Sequence, residues 1–374
     1  MKILFPIGAF YPAQSGGPNN TIAWITEALT NNNIDVFIVT TDLDILSNHK
    51  IIFNKWISSE LGKIIYCKTL VHYLPFKLIY ESVCKFKHVD IIHLTGVFYP
   101  PSLILYLINK IFFKKKIVWS PRGELAEEAL IYSSFIKKIY LFIINFFIND
   151  KFFFHTTSKE ETFITKERFN HNRIIQIPNY LKPTKSVKRS SKKSYLLFIG
   201  RISPKKAIEN LIEALNISKF FKEKEMKLII AGNYHNKYGD SLKKLCLKLC
   251  LDKNIDFIGH VEGKQKDILY ANAFFTIMPS HNENFGNVVV ESLSQSTPVI
   301  ASTGTPWEIL EVNNAGYWIS NEPKVIAEKI DYVLCMTNNK YLSMRANSYK
   351  LMNEDFNIKH NIKNWIKFYN TLNK

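Results

Sequence analysis

The stretch FFTIMPSHNENFGNVVVESLSQSTPVIAS, residues 274–302, decides how this sequence folds. It begins with a β-prone apolar run, continues through a polar loop to Gly286 and a helix-forming segment, and ends on a second apolar run at 298–301. A strand, a loop, a helix and a strand in this order form a βα unit of a parallel sheet. We therefore predict an α/β fold with a ligand-binding loop here, because parallel sheets bind ligands at the carboxyl ends of their strands.

The same alternation of short apolar runs and amphipathic segments extends along the chain and predicts two groups of βα units. The first group has predicted strands at 2–7, 35–40, 90–94, 116–120, 152–156 and 173–177, with helices that include 19–30 and 125–147. The second has predicted strands at 195–199, 227–231, 255–258, 274–278, 298–301 and 316–319. Ser203-Pro204 and the capping box Thr305-Pro306-Trp307-Glu308 predict two helix starts in the second group.

A basic segment separates the two groups. Residues 182–193 contain six Lys or Arg residues, one proline, several serines and no acidic residue, which predicts a solvated linker over 181–194. We expect two doubly wound, Rossmann-like α/β domains, over residues 1–180 and 195–355, that face a central cleft. The last segment, 356–374, has apolar residues at helical spacing and predicts a packed helix.

The composition excludes a disordered protein and suggests an anionic partner, with genomic base composition as the alternative explanation for much of the lysine richness. Hydrophobic residues make up 47% of the 374 residues, and 49 Lys and Arg against 32 Asp and Glu give a net charge of +17. Residues 1–250 hold 37 basic and 19 acidic side chains, so the excess lies in the first two thirds. Nucleic acid is the weaker candidate, because its binding needs basic and aromatic residues on one platform and the charge here is diffuse.

Three features favour a cytoplasmic location. The five cysteines are odd in number and show no CxxC spacing, as expected in a reducing compartment. Residues 1–12 predict a buried strand rather than a signal peptide, because no small-residue cleavage site follows them. The apolar segment 135–154 is interrupted by charged residues, which argues against a membrane-spanning helix.

Two glutamates in residues 279–302 are candidates for binding hydroxyl groups. Glu283 lies in the predicted loop and Glu291 lies more than one turn into the predicted helix, so their carboxylates lie at different depths. Carboxylate oxygens accept hydrogen bonds from vicinal hydroxyls, which suits a sugar at one and a ribose at the other. Gly286 and the free N–H groups at the helix start favour a phosphate nearby. The alternative is that both glutamates are ordinary solvated charges.

The full context PSHNENFGNVVVESLSQSTPVIAS, residues 279–302, resembles the donor-binding signature of retaining glycosyltransferases of family GT4, which have the GT-B fold. FIGRISPKKA, residues 198–207, resembles the first βα unit of that family's C-terminal domain, with Ala207 where glycine is usual. The resemblance implies that Glu283 binds the transferred sugar, Glu291 the nucleotide ribose, and Arg201 and Lys206 the donor pyrophosphate. It also implies that residues 195–355 bind the donor and that the C-terminal helix crosses back onto the N-terminal domain. The other donor-binding candidates are Gly16 and Gly17 in the loop after the first strand, and Asn284, Phe285, Gly286 and Asn287.

SPRGEL, residues 120–125, resembles a branch of GT4 that acts on bacterial surface glycans. Many family members place a histidine near this loop, but here the loop offers Arg122 and Glu124, so that histidine cannot be carried over. Arg122 is a catalytic candidate that would contact the leaving phosphate or the acceptor, and the alternative is a structural salt bridge. His93, at the end of a predicted strand, is a weaker candidate at the edge of the cleft.

The resemblance implies transfer of a hexose-type sugar from a UDP- or GDP-sugar to a hydroxyl of a glycan acceptor carried on polyprenyl diphosphate. We expect no metal or other cofactor, because the one DxD match, Asp42-Leu43-Asp44, lies in an early loop and Arg201 and Lys206 would stabilise the leaving pyrophosphate.

The apolar, lysine-containing segments 103–116 and 135–154 are expected to attach the protein to anionic lipid on the inner face of the cytoplasmic membrane. Two ordinary core helices are the alternative for these segments. For the whole chain, the alternatives are a sugar-nucleotide epimerase of the same architecture and a basic nucleic-acid-binding protein.

Overall fold

The computed structural model describes residues 1–13, 16–45, 51–127, 130, 134–148, 152–170, 173–190 and 195–373. The chain divides into two compact units, each with its own core. Unit 1 comprises Met1–Lys182 together with Ile358–Lys374, and unit 2 comprises Pro183–Asn357.

Unit 1 is built on an eight-stranded sheet in the order β3-β4-β2-β1-β5-β6-β7-β8. Its pairs are parallel except for the antiparallel pair of β3 and β4 at one edge. The central strands are buried on both faces, as their continuous apolar runs require. The strands are β1 Lys2–Ile7, β2 Asp35–Thr41, β3 Trp56–Ser59, β4 Gly62–Cys67, β5 Ile91–Thr95, β6 Lys116–Ser120, β7 Phe152–Thr156 and β8 Ile174–Gln176.

Helices cover both faces of this sheet. The helices of unit 1 are α1 Gly16–Asn31, α2 Phe76–Phe86, α3 Pro100–Ile108 with a π-helical turn at Asn109–Phe113, α4 Ser134–Phe147, α5 Lys159–Phe169 and, from the end of the chain, α14 Ile358–Asn373. α1 and α14 share one core, to which Leu29 and Trp365 contribute, and α2 to α5 share the other. The C-terminal helix therefore completes the core of unit 1.

Unit 2 contains a six-stranded parallel sheet in the order β11-β10-β9-β12-β13-β14. Its strands are β9 Tyr195–Ile199, β10 Leu228–Ala231, β11 Ile255–Gly259, β12 Ala273–Met278, β13 Val299–Ser302 and β14 Gly316–Ile319. Its helices are α6 Ile208–Ile217, α7 Lys219–Glu223, α8 Lys237–Lys248, α9 Gly263–Asn272, α10 Asn287–Ser294, α11 Ile309–Val312, α12 Pro323–Leu334 and α13 Asn338–Leu351, which a π-helical turn at Met352–Phe356 follows.

Residues 183–190 have no helix or strand, but side chains of unit 2 hold them. The Val187 N–H donates to Gln295 Oε1 (3.0 Å), and the Ser190 N–H donates to Asn272 Oδ1 (2.7 Å). The Arg189 guanidinium donates to the Tyr341 hydroxyl (2.9 Å). Most residues of 182–190 are exposed, as a solvated linker predicts, but these hydrogen bonds hold the segment on unit 2. Residues 191–194 lie outside the described residues.

The predicted strands all occur, with ends that differ by at most one residue. The sequence prediction missed the short edge pair of β3 and β4. Trp56–Ser59 is a half-exposed strand with two polar residues, so it lacks the apolar run that marks the buried strands. The helix predicted at 125–147 is described as α4 only from Ser134, and residues 128–129 and 131–133 lie outside the described residues.

Both predicted helix starts in unit 2 are wrong. After Ser203 the chain makes a single 3₁₀ turn, Pro204–Lys206, and α6 begins only after Ala207, which has the left-handed φ of +47°. Thr305 Oγ1 donates to the Ser302 carbonyl (2.6 Å) instead of capping a helix, and only the four-residue α11 follows. Ser158, by contrast, does cap α5 by accepting a hydrogen bond from the Glu161 N–H (3.1 Å).

Candidate active site

The loop that joins β12 to α10 holds Glu283, Asn284, Phe285 and Gly286 of the predicted site residues, and a buried aromatic cluster fixes it. The Phe285 ring lies 5.0 Å from the Trp307 ring and 5.9 Å from the Phe356 ring, and Trp307 Nε1 donates to the Phe285 carbonyl. Gly286 has a φ of +82°, and a Cβ there would lie 2.9 Å from Met278 Sδ. The Phe285 side chain, predicted to contact the donor, is therefore buried in the core, and it serves the site by holding the loop.

A second loop, which follows β13, is hydrogen-bonded to the loop between β12 and α10. The Glu283 N–H donates to the Gly304 carbonyl (2.9 Å), and Ser302 Oγ donates to the Ser280 carbonyl (2.5 Å). A Cβ at Gly304 would lie 1.9 Å from the His281 carbonyl oxygen, so only glycine permits this approach. The backbone around Glu283 is consequently rigid before any ligand arrives.

The structure brings Glu283 and Lys206 into direct contact. Lys206 Nζ forms an ion pair with Glu283 Oε1, and Ser280 Oγ donates to the same oxygen (3.0 Å). The backbones of these loops are also joined, because the His281 N–H donates to the Lys205 carbonyl (3.0 Å). A cation and a carboxylate from two βα loops thus lie side by side at one edge of the sheet.

Arg201 follows β9 at the same edge, immediately after Gly200. Its side chain is exposed and forms no hydrogen bond or ion pair with any residue that the structure describes. Such a guanidinium can bind a phosphate in a bidentate manner without first breaking an internal contact.

The start of α10 adds a further group of donors. Gly286 is the N-cap residue and no side chain caps the helix, so N–H groups of its first turn are not satisfied by a capping side chain. Asn284 and Asn287 lie half-buried on either side of this position. Together with Arg201 and Lys206, the helix N-terminus produces a positive field that suits an anion.

Glu291 lies one turn further along α10 and both of its carboxylate oxygens have partners. Lys266 Nζ donates to Oε1 (2.9 Å) and the Tyr270 hydroxyl donates to Oε2 (2.9 Å). Sequence reasoning missed both partners, because they precede Glu291 by more than twenty residues and belong to no motif. Their spacing of four residues on one helix was the available signal.

Sequence analysis also predicted site residues in unit 1, among them Gly16, Gly17 and Arg122. Gly16 and Gly17 are the first residues of α1 instead of members of the preceding loop, which corrects their predicted position, and their role in donor binding stays a prediction. Arg122 follows β6 with a left-handed φ of +57°, and its Nη1 donates to Asn179 Oδ1 (2.9 Å). Its Nε and Nη2 atoms are buried without a hydrogen-bond partner among the described residues. Burial lowers the pKa of Arg122, and the nearby Glu161 opposes this effect. Arg122 forms no ion pair within 4.0 Å with a described residue, so the structural salt bridge is not seen, and its catalytic role stays a prediction.

Glu161 and Glu124 are structural acceptors around the same loop. Glu161 Oε1 accepts a hydrogen bond from the Gly123 N–H (2.6 Å) and Oε2 accepts one from the Thr157 N–H (2.7 Å). Glu124 Oε2 accepts hydrogen bonds from two consecutive N–H groups, those of Val97 (2.5 Å) and Phe98 (2.9 Å). Burial raises the pKa of both carboxyl groups, and the hydrogen bonds to the carboxylates oppose this shift.

His93 is buried in the core of unit 1, so the prediction of an edge position is wrong. Its Nδ1 lies 2.7 Å from the Tyr369 hydroxyl on α14, and its Nε2 lies 2.7 Å from Ser120 Oγ. Ser120 Oγ lies 2.8 Å from His155 Nδ1 in turn. Burial holds the pKa of both histidines well below 6.5, so the chain of hydrogen bonds connects neutral imidazoles. It links α14 to three strands of the sheet.

Comparisons with known proteins find similar sequences among glycosyltransferases. The family model described as "Glycosyl transferases group 1" matches residues 182–351. An uncharacterized glycosyltransferase of Methanocaldococcus jannaschii is 36% identical over 141 residues, which are 37% of this chain and 35% of that protein. The O-antigen chain mannosyltransferase RfbU of Salmonella typhimurium is 25% identical over 194 residues, 52% of this chain and 53% of that enzyme. The matches thus span about a third to a half of the length of these relatives.

Solved structures match over nearly the full chain. Sucrose-phosphate synthase from Thermosynechococcus elongatus has a TM-score of 0.77 at 16% identity, with 99% of this chain and 98% of that chain covered. HepE of Anabaena, solved in complex with UDP-glucose, has a TM-score of 0.75 at 16% identity, with 99% and 100% covered. At this identity the likeness establishes the fold, and it confirms the predicted GT-B class. Residues 182–351 therefore form a domain of the family of glycosyl transferases group 1, within a chain of the GT-B fold.

Proposed function

We propose that this protein is a retaining glycosyltransferase of family GT4 that transfers a hexose from a nucleotide diphosphate sugar to a hydroxyl of a glycan acceptor. The observation that carries the proposal is the convergence of Arg201, Lys206, Glu283 and the N-terminus of α10 at one edge of unit 2. The matched family and the O-antigen mannosyltransferase among the relatives support the same class of reaction. The relatives named above are glycosyltransferases, and the epimerase alternative receives no support from them.

The chemistry assigned to each residue follows from its surroundings. Arg201 and Lys206 would bind the donor diphosphate, and with the N-terminal dipole of α10 they would stabilise the negative charge that develops on the leaving group. Glu283 would accept hydrogen bonds from hydroxyls of the transferred sugar. Glu291, deeper along α10, would accept hydrogen bonds from the ribose. We propose that the reaction needs no metal, because Arg201, Lys206 and the N-terminus of α10 lie at one edge of the sheet and would stabilise this charge.

The donor is proposed to be a UDP- or GDP-sugar. HepE, which shares the fold, was solved with UDP-glucose, and this supports a nucleotide-sugar donor without choosing the base. Binding of UDP, GDP, ADP and their sugar conjugates, measured by thermal shift and then by nucleotide release with acceptor, tests the proposal. A protein that binds none of these nucleotides would contradict it.

We also propose that unit 1 attaches the protein to the inner face of the cytoplasmic membrane, where a polyprenyl-diphosphate-linked glycan would be its acceptor. No helix in the described parts of the chain has the length and apolar character needed to cross a bilayer, so the proposal concerns surface attachment only. α4 supports it. One side of α4 packs in the core through Ile144, while large apolar side chains of the other side are exposed, namely Phe135, Ile136, Ile139, Phe142 and Phe146.

The neighbouring π-helical turn extends this exposed surface with Ile111 and Phe112, and it is joined to α4 because Lys110 Nζ donates to the Phe147 carbonyl (2.7 Å). α4 itself carries two lysines and no acidic residue. An apolar surface with only positive charge fits an anionic lipid headgroup layer. In unit 2, by contrast, the described exposed apolar residues include no phenylalanine.

Co-sedimentation with vesicles of phosphatidylcholine, with and without phosphatidylglycerol, tests this attachment. We expect binding to the anionic vesicles and a loss of at least about tenfold in the double variant Phe142→Glu and Phe146→Glu. The matched control is Leu247→Glu, an exposed apolar residue of unit 2 that should not affect binding. Equal binding by the wild type to both kinds of vesicle would contradict the proposal.

A further inference from the structure

Both carboxylate oxygens of Glu291 accept hydrogen bonds from side chains of one helix, α9. Lys266 and Tyr270 lie four residues apart on α9 and therefore project from the same face. Lys266 Nζ reaches Oε1 and the Tyr270 hydroxyl reaches Oε2, each at 2.9 Å. A flexible glutamate is thereby fixed in one rotamer, with one donor on each oxygen.

Tyr270 is the more rigid of the two partners. Its ring is fully buried, and Thr297 Oγ1 donates to its carbonyl (2.6 Å), which ties α9 to the loop before β13. Burial and the nearby Glu291 raise the pKa of Tyr270 well above 10, so its hydroxyl remains a donor throughout the physiological range. Lys266 is only partly buried and supplies a compensating positive charge.

This arrangement leaves Glu291 able to accept more hydrogen bonds. A carboxylate has about four lone-pair positions, and the two contacts use one on each oxygen. The remaining positions suit the two neighbouring hydroxyls of a ribose. A carboxylate whose direction is already fixed loses less conformational entropy on binding than a mobile one.

We propose that Tyr270 and Lys266 are positioning residues that orient Glu291 for the ribose of the donor nucleotide, and that they set the preference for ribonucleotides. The inference rests on the proposed function, in which Glu291 contacts the ribose. Neither residue touches the sugar or the diphosphate in this scheme, and both act through Glu291.

The test compares nucleotides that differ only in the 2′-hydroxyl. The Kd values of UDP and 2′-deoxy-UDP, and of GDP and 2′-deoxy-GDP, are measured by calorimetry, and the pair that contains the tighter ligand is used further. In the wild type we expect the deoxynucleotide to bind at least about tenfold more weakly, as the loss of a hydrogen bond to a charged group predicts. Glu291→Ala should bring the ratio close to one, and Tyr270→Phe should lower it about three- to tenfold.

Tyr195→Phe is the matched control. Its hydroxyl also contacts α9, donating to the Leu269 carbonyl (2.9 Å), but it does not touch Glu291. It should keep the wild-type ratio, and a general loosening of α9 would instead move both tyrosine variants alike and overturn the inference. If Tyr270→Phe does not fold, Lys266→Met is measured in its place, where a lowered ratio supports the inference and an unchanged one overturns it.

The outcomes separate the two proposals. A wild-type ratio near one, or a ratio that Glu291→Ala leaves unchanged, shows that Glu291 does not contact the ribose, and the proposed donor site is then wrong. A ratio that Glu291→Ala abolishes but Tyr270→Phe leaves unchanged overturns the positioning role alone.

Discussion

Replacing Glu283 by glutamine should make the protein bind a nucleoside diphosphate more tightly while it transfers sugar more slowly. Lys206 is paired with Glu283 in the structure, and both side chains are largely buried, with 19% and 14% of their surfaces exposed. If Lys206 binds the donor diphosphate, the ligand must compete with Glu283 for the same ammonium group. Glutamine keeps the size of the side chain and can still accept from Ser280 Oγ, but it removes the negative charge.

The size of the effect follows from the contact that is lost. A hydrogen bond between charged groups contributes about 1.5–3 kcal/mol, and partial exposure together with the remaining amide contact lowers the gain to about 1–2 kcal/mol. The Kd of the preferred nucleoside diphosphate should therefore fall roughly 5- to 30-fold. The rate of sugar transfer should fall at the same time, because a neutral amide is a weaker acceptor for the hydroxyls of the sugar.

Calorimetry measures the Kd of the nucleoside diphosphate, and a nucleotide-release assay measures the rate of sugar transfer. Glu328→Gln, an exposed position on α12, makes the same change in net charge without touching the ion pair and serves as the control. Equal or weaker diphosphate binding by Glu283→Gln than by the control would show that Lys206 and Glu283 do not compete with the ligand. The assignment of Lys206 to the diphosphate would then be wrong.

Three further outcomes are expected. Transfer activity should persist in excess EDTA, and its abolition, reversed by added divalent metal, would contradict the metal-independent mechanism. Gly304→Ala should lower the free energy of unfolding by about 1–3 kcal/mol and reduce donor binding, because its Cβ would lie 1.9 Å from the His281 carbonyl oxygen. Denaturant unfolding measures the loss of stability, and calorimetry measures the loss of donor binding. The free energy of unfolding should fall as the pH drops below about 6.5, since His93 takes up a proton on unfolding but stays neutral when folded. This residue contributes roughly 1.4 kcal/mol per pH unit, so the fall between pH 6.5 and 5.5 should be smaller in His93→Gln.

The sequence predicted most of the sheets because the strands of a doubly wound fold are buried on both faces. Each such strand must be a short apolar run, and this signal needs no tertiary information. β3 escaped because it is a short edge strand whose last two residues are exposed. β4 contains the buried apolar run Ile64–Cys67, and the same rule applied to it would have found it. The helix start at Thr305 failed because a competing local contact uses the cap: the Thr305 hydroxyl donates to the carbonyl of Ser302, three residues earlier. The helix start at Ser203 failed because Ala207, in the left-handed conformation, ends the first turn.

The site was predictable to the extent that its residues lie together in the chain. Glu283, Gly286 and Glu291 belong to one strand–loop–helix unit. The sequence alone therefore predicts where each lies: Glu283 in the loop, Gly286 at the helix start and Glu291 further along the helix. The contact between Lys206 and Glu283 joins two βα loops 77 residues apart, and no local pattern reports it. His93 ends up in the core for the same reason, because the residue that covers it, Tyr369, comes from the last helix of the chain.

The position of α14 has a consequence for how the protein is made. Unit 1 begins at the first residue, yet part of its core, including Trp365 and Tyr369, is supplied by residues 358–373. During synthesis the eight-stranded sheet leaves the ribosome long before this helix, whereas unit 2 has all of its residues once 357 has emerged. We therefore expect the second unit to finish folding first. Until α14 emerges, the part of the sheet face that it covers beside α1 is open to chaperones, and a nonsense mutation after unit 2 would leave that part open permanently.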